Sequence, residues 1–284
     1  MPDLGGDTPL EVCLSEGKAA GYAGFELGHK FPRDATTLRE VLDAHDLVLV
    51  SGWYSGNLID RRIDEEIDAI QEHLALLKAM ECQVLIYCDT TRAVHGAFGT
   101  PLSKRPIVRG KAWRDLCAKF SELGKYLQGE GIQLAYHHHM GTVVQTPSDV
   151  DALLDLTADE VGLLLDTGHW TFAGGDAVEA AKLYAERIVH VHCKDVRRNI
   201  LNRAIDSDSD FLQSVCDGVF TVPGDGTVDF PGVISALAGV HYDGWWVVEA
   251  EQDPAKANPF DYVSQAYRYL TAELAKFDPA PALR

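Results

Sequence analysis

The sequence has few basic residues and no closely spaced pair of cysteines. It carries 25 Lys and Arg residues against 43 Asp and Glu residues, which gives a net charge of −18 over 284 residues. This balance argues against binding to a nucleic-acid backbone, because such binding depends on a basic surface. The six cysteines are scattered without a C-x-x-C pair, so we expect free thiols in a reducing compartment and not a disulfide framework.

Long apolar runs and glycine-rich phosphate loops are missing as well. No run approaches the roughly 20 apolar residues that cross a bilayer, and residues 1–6 lack the basic and apolar parts of a signal peptide. We therefore expect a cytoplasmic protein without membrane contact. The first predicted strand is not followed by a glycine-rich loop, which argues against a doubly wound nucleotide-binding sheet.

Predicted strands and helices alternate along the whole chain, joined mostly by short connections. The strands are predicted at residues 24–27, 47–51, 83–87, 132–136, 161–165, 188–195 and 245–248. Alternation of apolar strands with amphipathic helices is typical of parallel sheets. Together with the length, it predicts an α/β fold in which residues 1–284 form a single (β/α)8 TIM barrel domain. Only seven strands can be counted, so we expect a barrel that lacks a regular first strand.

The segment 188–195, with the sequence IVHVHCKD, places unusual chemistry on one face of a strand. Side chains alternate in a strand, so His190, His192 and Lys194 share a side. Histidine is the commonest metal ligand, and His192 therefore predicts a metal site with Lys194 beside it. His190 lies one pleat deeper and is expected to support the site from behind. The alternative is a core strand whose polar end is merely solvated.

Four successive strands end in an imidazole or a carboxylate. In a barrel these ends meet at one rim, where catalytic groups are found. The residues that we predict as metal ligands are His137, Asp166, His192 and Glu249. A mixed His and carboxylate set suits Mn²⁺, Co²⁺, Fe²⁺ or Zn²⁺ better than Ca²⁺. Alternation places both His137 and His139 inward, and the sequence leaves open which of them is the ligand.

Further candidates for contact with a substrate lie in two segments. Trp53 and Tyr54 follow the second predicted strand, and the long connection 89–108 carries Arg92 and His95. Long connections in compact domains are usually functional or disordered, so a solvated loop is the alternative. The residues predicted to bind substrate are Trp53, Tyr54, Arg92, His95 and Arg197.

Several runs of the sequence resemble the inosose dehydratase family of the xylose-isomerase-like barrel superfamily. They include LGGDTPL at 4–10, VSGWYSG at 50–56, YHHHMGT at 136–142, LDTGH at 165–169, HVHCKD at 190–195 and the VEAEQDPAKAN run at 248–258. The resemblance spans nearly the whole chain. The family has a strand before the GGDT run, and the wider superfamily places a glutamate where His137 stands.

The resemblance implies a hydro-lyase of inositol catabolism that removes water from 2-keto-myo-inositol, a cyclic polyol ketone. It further implies Mn²⁺ or Co²⁺ as the metal. The same resemblance allows glutathione as a further cofactor and a homo-oligomer as the assembly. Burial beside a cation would lower the pKa of Lys194, which makes Lys194 a candidate base or proton shuttle. His169 and His139 are candidates for protonating the leaving group, and Glu251 for orienting one of them. A fixed positive charge on a substrate oxygen is the alternative for Lys194.

Three other functions stay open from the sequence. An isomerase or epimerase would use the same metal and return the proton instead of expelling hydroxide. A metal-dependent phosphodiesterase is disfavoured by the net charge of −18. A metal- or sugar-binding protein without catalysis is the third.

Overall fold

A computed structural model describes residues 4–277, in which parallel strands alternate with helices. The strands are β1 (Gly24–Leu27), β2 (Val48–Gly56), β3 (Val84–Asp89), β4 (Gln133–His137), β5 (Val161–Asp166), β6 (Ile188–Cys193), β7 (Asp195–Val196), β8 (Phe220–Thr221) and β9 (Trp246–Val248). The helices are α1 (Leu10–Ala20), α2 (Ala35–Asp43), α3 (Ile63–Ala79), α4 (Gly110–Gly129), α5 (Pro147–Leu156), α6 (Thr167–Phe172), α7 (Ala177–Leu183), α8 (Arg198–Asp206), α9 (Phe211–Cys216), α10 (Phe230–Ala238) and α11 (Pro259–Leu274).

Seven of the strands form one parallel sheet in the order β1-β2-β3-β4-β5-β6-β9. This is the TIM barrel that the sequence predicts, and the seven parallel strands of the described residues match the count. Within residues 4–277, no strand joins β1 to β9, and residues 4–8 form a turn in which the Thr8 N–H donates to the Gly5 carbonyl. A cavity of about 450 Å³ lies at this opening, between α1 and α11.

The strands are apolar because helices cover the outside and side chains fill the inside of the sheet. All residues of β3 and β5 are buried, which is the pattern of strands in a parallel sheet. The core between strands and helices includes Leu74 and Leu77 of α3 and Phe120 of α4. In the part of the chain that the structure describes, no helix is both long and apolar enough to span a membrane.

Two structural differences from the sequence prediction affect the site. Strand β2 extends to Gly56, beyond the predicted end at residue 51, so Trp53 and Tyr54 lie in a strand and point to opposite faces. Helix α6 begins directly after β5, with the Asp166 carboxylate accepting the His169 N–H as its N-cap. The sequence pattern did not predict α6 or α8, because α6 has only six residues and α8 lies in the connection between the short antiparallel strands β7 and β8.

Candidate active site

The four predicted metal ligands meet at the carboxyl ends of β4, β5, β6 and β9. One nitrogen or oxygen atom from each of these residues lies within 4.8 Å of the others: His137, Asp166, His192 and Glu249. The His137 Nε2 atom is 3.6 Å from Asp166 Oδ2, and His192 Nδ1 is 2.9 Å from Glu249 Oε2. These residues come from four strands that are neighbours in the sheet, so the strand order brings them together.

Three atoms of this group are buried without a hydrogen-bond partner. They are Asp166 Oδ2, His192 Nδ1 and Glu249 Oε2, and all three face the same point. Lys194 Nζ lies 2.9 Å from Glu249 Oε2 and 3.4 Å from Asp166 Oδ2, but none of the three atoms makes a hydrogen bond. Buried polar atoms without a hydrogen bond are costly, and a divalent cation would coordinate all three. Two imidazoles and two carboxylates form a donor set that suits Mn²⁺, Co²⁺, Fe²⁺ or Zn²⁺. The group therefore fits a divalent metal ion.

The group of residues that each ring joins favours His137 over His139 as the ligand. The Nδ1 atom of His137 lies 2.6 Å from the His138 carbonyl, which turns Nε2 toward Asp166. His139 instead belongs to a second group with His169 and Glu251. His138 is fully buried against Trp170, away from both groups, and burial lowers its pKa to about 3.

Lys194 lies between the two groups, completely buried. Its Nζ atom is 2.8 Å from Glu251 Oε2, 2.9 Å from Glu249 Oε2 and 3.2 Å from the Nε2 atom of His169. Burial alone would lower the pKa of Lys194, but Asp166, Glu249 and Glu251 outweigh it and raise the pKa above its ordinary value. The protein side chains alone therefore raise this pKa, which favours the alternative of a fixed positive charge, whereas the lowering by a neighbouring metal cation stays a prediction.

Two residues of the LDTGH run at 165–169 contact Lys194 and hold its side chain in place. The backbone N–H of Lys194 donates to the Thr167 hydroxyl, which donates to the Lys194 carbonyl. A Cβ atom on Gly168 would lie only 2.6 Å from Lys194 Cγ, so a larger residue would displace the lysine chain. Thr167 and Gly168 thus fix the path of the side chain, while Phe220 covers its end at 4.7 Å from the ring centre.

The rings of His139 and His169 lie against each other with their centres 3.9 Å apart and their planes inclined by 41°, and both contact the backbone of Met140. The Nδ1 atom of His139 lies 2.8 Å from the Met140 carbonyl, so this nitrogen carries a proton and leaves a lone pair on Nε2. The Met140 N–H donates to Nδ1 of His169 over 3.3 Å, and Nε2 of the same ring faces Lys194 Nζ at 3.2 Å. Burial lowers the pKa of both imidazoles well below the ordinary value, so both rings are neutral.

Of the residues predicted to bind substrate, two lie at the site. The Trp53 ring is 5.2 Å from the ring centre of His137, and His95 is 5.0 Å from that of His139. Both lie at the edge of the histidine group.

The other three residues predicted to bind substrate point elsewhere. Tyr54 packs on His73 and Tyr87, because strand alternation turns it away from Trp53. Arg92 is paired with Asp60 at the surface. Arg197 donates to the Gly218 and Phe220 carbonyls and to Asp225, so its guanidinium holds the loop around β8. The structure does not bring these three side chains to the histidine and carboxylate groups.

One carboxylate at the site is absent from the sequence prediction. Glu26 of β1 lies within hydrogen-bond distance of both His190 and His192. A carboxylate inside a short apolar strand is the signal that could have revealed it, because such a group needs a partner.

Comparison with known proteins shows the family to which the chain is similar. The model of the family described as xylose isomerase-like TIM barrel matches residues 14–273. The rhizopine catabolism protein MocC of Rhizobium meliloti is 48% identical over 270 residues, which are 95% of this chain and 83% of that protein. An inosose dehydratase of Geobacillus thermodenitrificans is 41% identical over 95% of this chain and 91% of its own length. Inosose dehydratase 2 of Bacillus cereus is 40% identical over the same shares.

Solved structures support the fold. An IolI protein with a bound zinc atom superposes with a TM-score of 0.70 at 17% identity, covering 96% of this chain and 95% of that one. The probable 3-DHS dehydratase AsbF of Bacillus anthracis superposes with a TM-score of 0.67 at 13% identity, covering 92% and 93%. The chain therefore belongs to the xylose isomerase-like TIM barrel family and, within it, to the inosose dehydratase group of hydro-lyase enzymes.

Proposed function

We propose that the protein is a metal-dependent dehydratase that removes one molecule of water from 2-keto-myo-inositol and forms a trihydroxycyclohexane-dione. The observation that carries this proposal is the contact between two groups of side chains, joined by Lys194. One is a four-residue set that could hold a metal, and the other is the buried pair His139 and His169, which both contact the backbone of Met140. Elimination next to a ketone needs an electrophile, a base and a proton donor. A metal held by the first group would be the electrophile, and the two histidines would be the base and the donor.

The metal would be held by His137, Asp166, His192 and Glu249, and we propose Mn²⁺ or Co²⁺. When bound, a divalent ion acts as a Lewis acid that polarises the ketone oxygen of the substrate. Lys194 contributes a second positive charge next to that position, because three carboxylates keep it protonated. It would stabilise negative charge on a substrate oxygen, as preorganised charges do in other enzymes.

His139 is the proposed base. Its Nδ1–H is directed at the Met140 carbonyl, so the Nε2 lone pair is free to accept the proton next to the ketone. Burial keeps the ring neutral by lowering its pKa, so the lone pair carries no proton when the substrate arrives.

His169 is the proposed donor to the leaving hydroxide. The Nε2 atom of this ring lies 3.2 Å from Lys194 Nζ and 3.7 Å from Glu251 Oε2. After His169 has donated a proton, the Lys194 ammonium would return one to it, and the Glu251 carboxylate would hold the lysine in place. Base and donor are thereby held on neighbouring rings by a single backbone unit.

The walls of the site suit a ring-shaped polyol. Trp53, Phe211 and Phe220 place apolar surfaces around the histidines, while the imidazoles and carboxylates offer hydrogen bonds to hydroxyl groups. We include glutathione, a cytoplasmic location and a homo-oligomer in the same proposal, and their support is the family relationship alone.

A compound of rhizopine catabolism is a second candidate substrate. The observation that favours it is the 48% identity to MocC, against 40% and 41% to two inosose dehydratases. Comparing kcat/KM for 2-keto-myo-inositol with the value for compounds of rhizopine catabolism decides between the two.

The proposal is tested by incubating the protein with Mn²⁺ or Co²⁺ and 2-keto-myo-inositol and following diketone absorbance. We expect absorbance to rise with metal and to stop rising after addition of a chelator. An isomerase or epimerase would convert the substrate without diketone absorbance. Tight metal binding without conversion of any keto-inositol would indicate a binding protein instead.

A further inference from the structure

Glu26 joins three strands through one oxygen atom. Its Oε1 atom lies 2.7 Å from His190 Nε2, 3.1 Å from His192 Nε2 and 2.7 Å from the Ser51 hydroxyl, which donates to it. Glu26 is in β1, Ser51 in β2 and the histidines in β6, so the carboxylate lies across the inside of the sheet. None of the elimination steps uses it.

The two nitrogens of His192 have different surroundings. Nε2 faces Glu26, whereas Nδ1 is 2.9 Å from Glu249 Oε2 and 3.6 Å from Asp166 Oδ2 without a hydrogen bond to either. A neutral imidazole carries one proton, and Nε2 is the nitrogen that makes a hydrogen bond to a carboxylate, whereas the close approach of Glu249 to Nδ1 lacks hydrogen-bond geometry. The lone pair then lies on Nδ1, directed at the metal-binding set.

We infer that Glu26 is a positioning residue of the metal centre, which fixes the orientation and tautomer of His192 so that Nδ1 is the ligand atom. This inference rests on the metal site of the proposed function and does not depend on the dehydratase reaction. A carboxylate behind a ligating histidine also makes the imidazole a stronger donor, and its loss commonly lowers metal affinity 10- to 100-fold. His190 donates to the same oxygen and holds the carboxylate in place from the other side.

Glu26, His190 and His192 also form a compact group that could hold a metal ion. An ion there would compete with the hydrogen bonds, since both Nε2 atoms point at the same oxygen within 3.1 Å. The geometry therefore favours a proton network over a second metal site. Metal stoichiometry distinguishes them, because the network requires one ion per chain and a second site would give two.

The experiment is a titration of the metal-free protein with Co²⁺ alone, monitored by the visible absorption of the ion. We expect Glu26→Ala to bind one Co²⁺ with roughly 10- to 100-fold lower affinity and an altered spectrum. Glu26→Gln should recover a large part of the affinity, because its amide oxygen can accept the His192 proton. Glu66→Gln is the matched control: Glu66 is also buried but bonds Tyr87 and Arg61, so its loss should not change Co²⁺ affinity.

Unchanged affinity and an unchanged spectrum in a folded Glu26→Ala protein would overturn the inference. If that variant does not fold, ¹⁵N NMR of the wild-type protein loaded with diamagnetic Zn²⁺ replaces it. A proton on Nε2 of His192 supports the inference, and a proton on Nδ1 overturns it. Because no substrate is present, a failure of turnover leaves the result intact, whereas wild-type protein that binds no Co²⁺ refutes both the inference and the proposed metal site.

Discussion

The Nζ atom of Lys194 lies 2.8 Å from Glu251 Oε2, and this pair connects the metal-binding set to the two histidines of the proposed proton transfers. The lysine is fully buried and its carboxylate neighbours keep it charged. Replacing Lys194 with Met removes the charge and preserves most of the volume. We expect kcat to fall by at least about 10²- to 10³-fold, as when other preorganised charges are removed.

Metal binding should survive in the same variant, because Lys194 is not a ligand. Atomic absorption after dialysis against Co²⁺ measures this directly, and one ion per chain is expected. Turnover by a metal-loaded Lys194→Met protein at the wild-type rate would show that the mechanism is wrong.

His139 and His169 have different proposed roles, and deuterium exchange separates them. In D₂O, a working base exchanges the proton next to the ketone even when elimination is blocked. We expect His169→Gln to exchange this proton but to form diketone about 10²- to 10⁴-fold more slowly, while His139→Gln loses both reactions. Proton NMR of recovered substrate measures the exchange. Exchange by His139→Gln at the wild-type rate would contradict its role as the base.

Binding of a metal should stabilise the folded protein. Co²⁺ at 100 times its dissociation constant contributes about 2.7 kcal/mol if it binds only the folded chain, which corresponds to roughly 5–10 °C in Tm. Differential scanning calorimetry with and without a chelator measures the shift. We expect Asp166→Asn to lose most of it, because Asp166 Oδ2 is one of the buried atoms without a partner.

A matched control for that variant is Asp34→Asn. Asp34 caps α2 through the Thr37 N–H, and Asn is an equally good cap. The metal-dependent shift in Tm should be the same as in the wild type. An equal shift in Asp166→Asn and wild type would show that Asp166 is not a ligand.

We expect Arg197 to stabilise the fold and not to bind the substrate. Its guanidinium donates to two carbonyls and to Asp225, all in the loop around β8. Arg197→Ala should lower the free energy of unfolding by about 1–3 kcal/mol, since buried acceptors lose their donors. Urea denaturation measures this loss. KM should stay close to that of the wild type, and a large rise in KM at unchanged stability would return Arg197 to the substrate site.

Buried neutral histidines make stability depend on pH, and His73 allows this to be tested far from the metal. Burial lowers the pKa of His73, whose Nε2 atom lies 3.2 Å from the Gly52 carbonyl. The unfolded chain binds a proton below about pH 6.5. The folded chain does not bind it until the lower pKa is reached. Stability therefore falls as the pH decreases through this range, by up to about 1.4 kcal/mol per pH unit for one proton.

His73→Gln should reduce that slope by up to one proton, with the slope taken from urea denaturation on either side of about pH 6.5. Identical slopes in variant and wild type would mean that His73 binds its proton equally in both states.

The barrel and the meeting of the four candidate metal ligands at one rim could be predicted because strands carry a short-range pattern. Apolar runs ended by Asp166 or Glu249 are visible in the sequence, and parallel strands place their ends together. Glu26 could not be assigned in this way, because its partners are 164 and 166 positions away in the sequence. The contacts of His139 and His169 depend on the backbone of Met140, which the sequence does not reveal. The single domain over residues 1–284 stays a prediction.

The central claim, elimination of water at a metal-binding histidine site, is tested most directly by the mass of the product. Co²⁺-loaded wild-type protein is incubated with 2-keto-myo-inositol, and the products are analysed by mass spectrometry beside an Asp166→Asn control. We predict a product lighter than the substrate by one water molecule, formed only with the wild type. A product of unchanged mass, or equal conversion by Asp166→Asn, would contradict the claim.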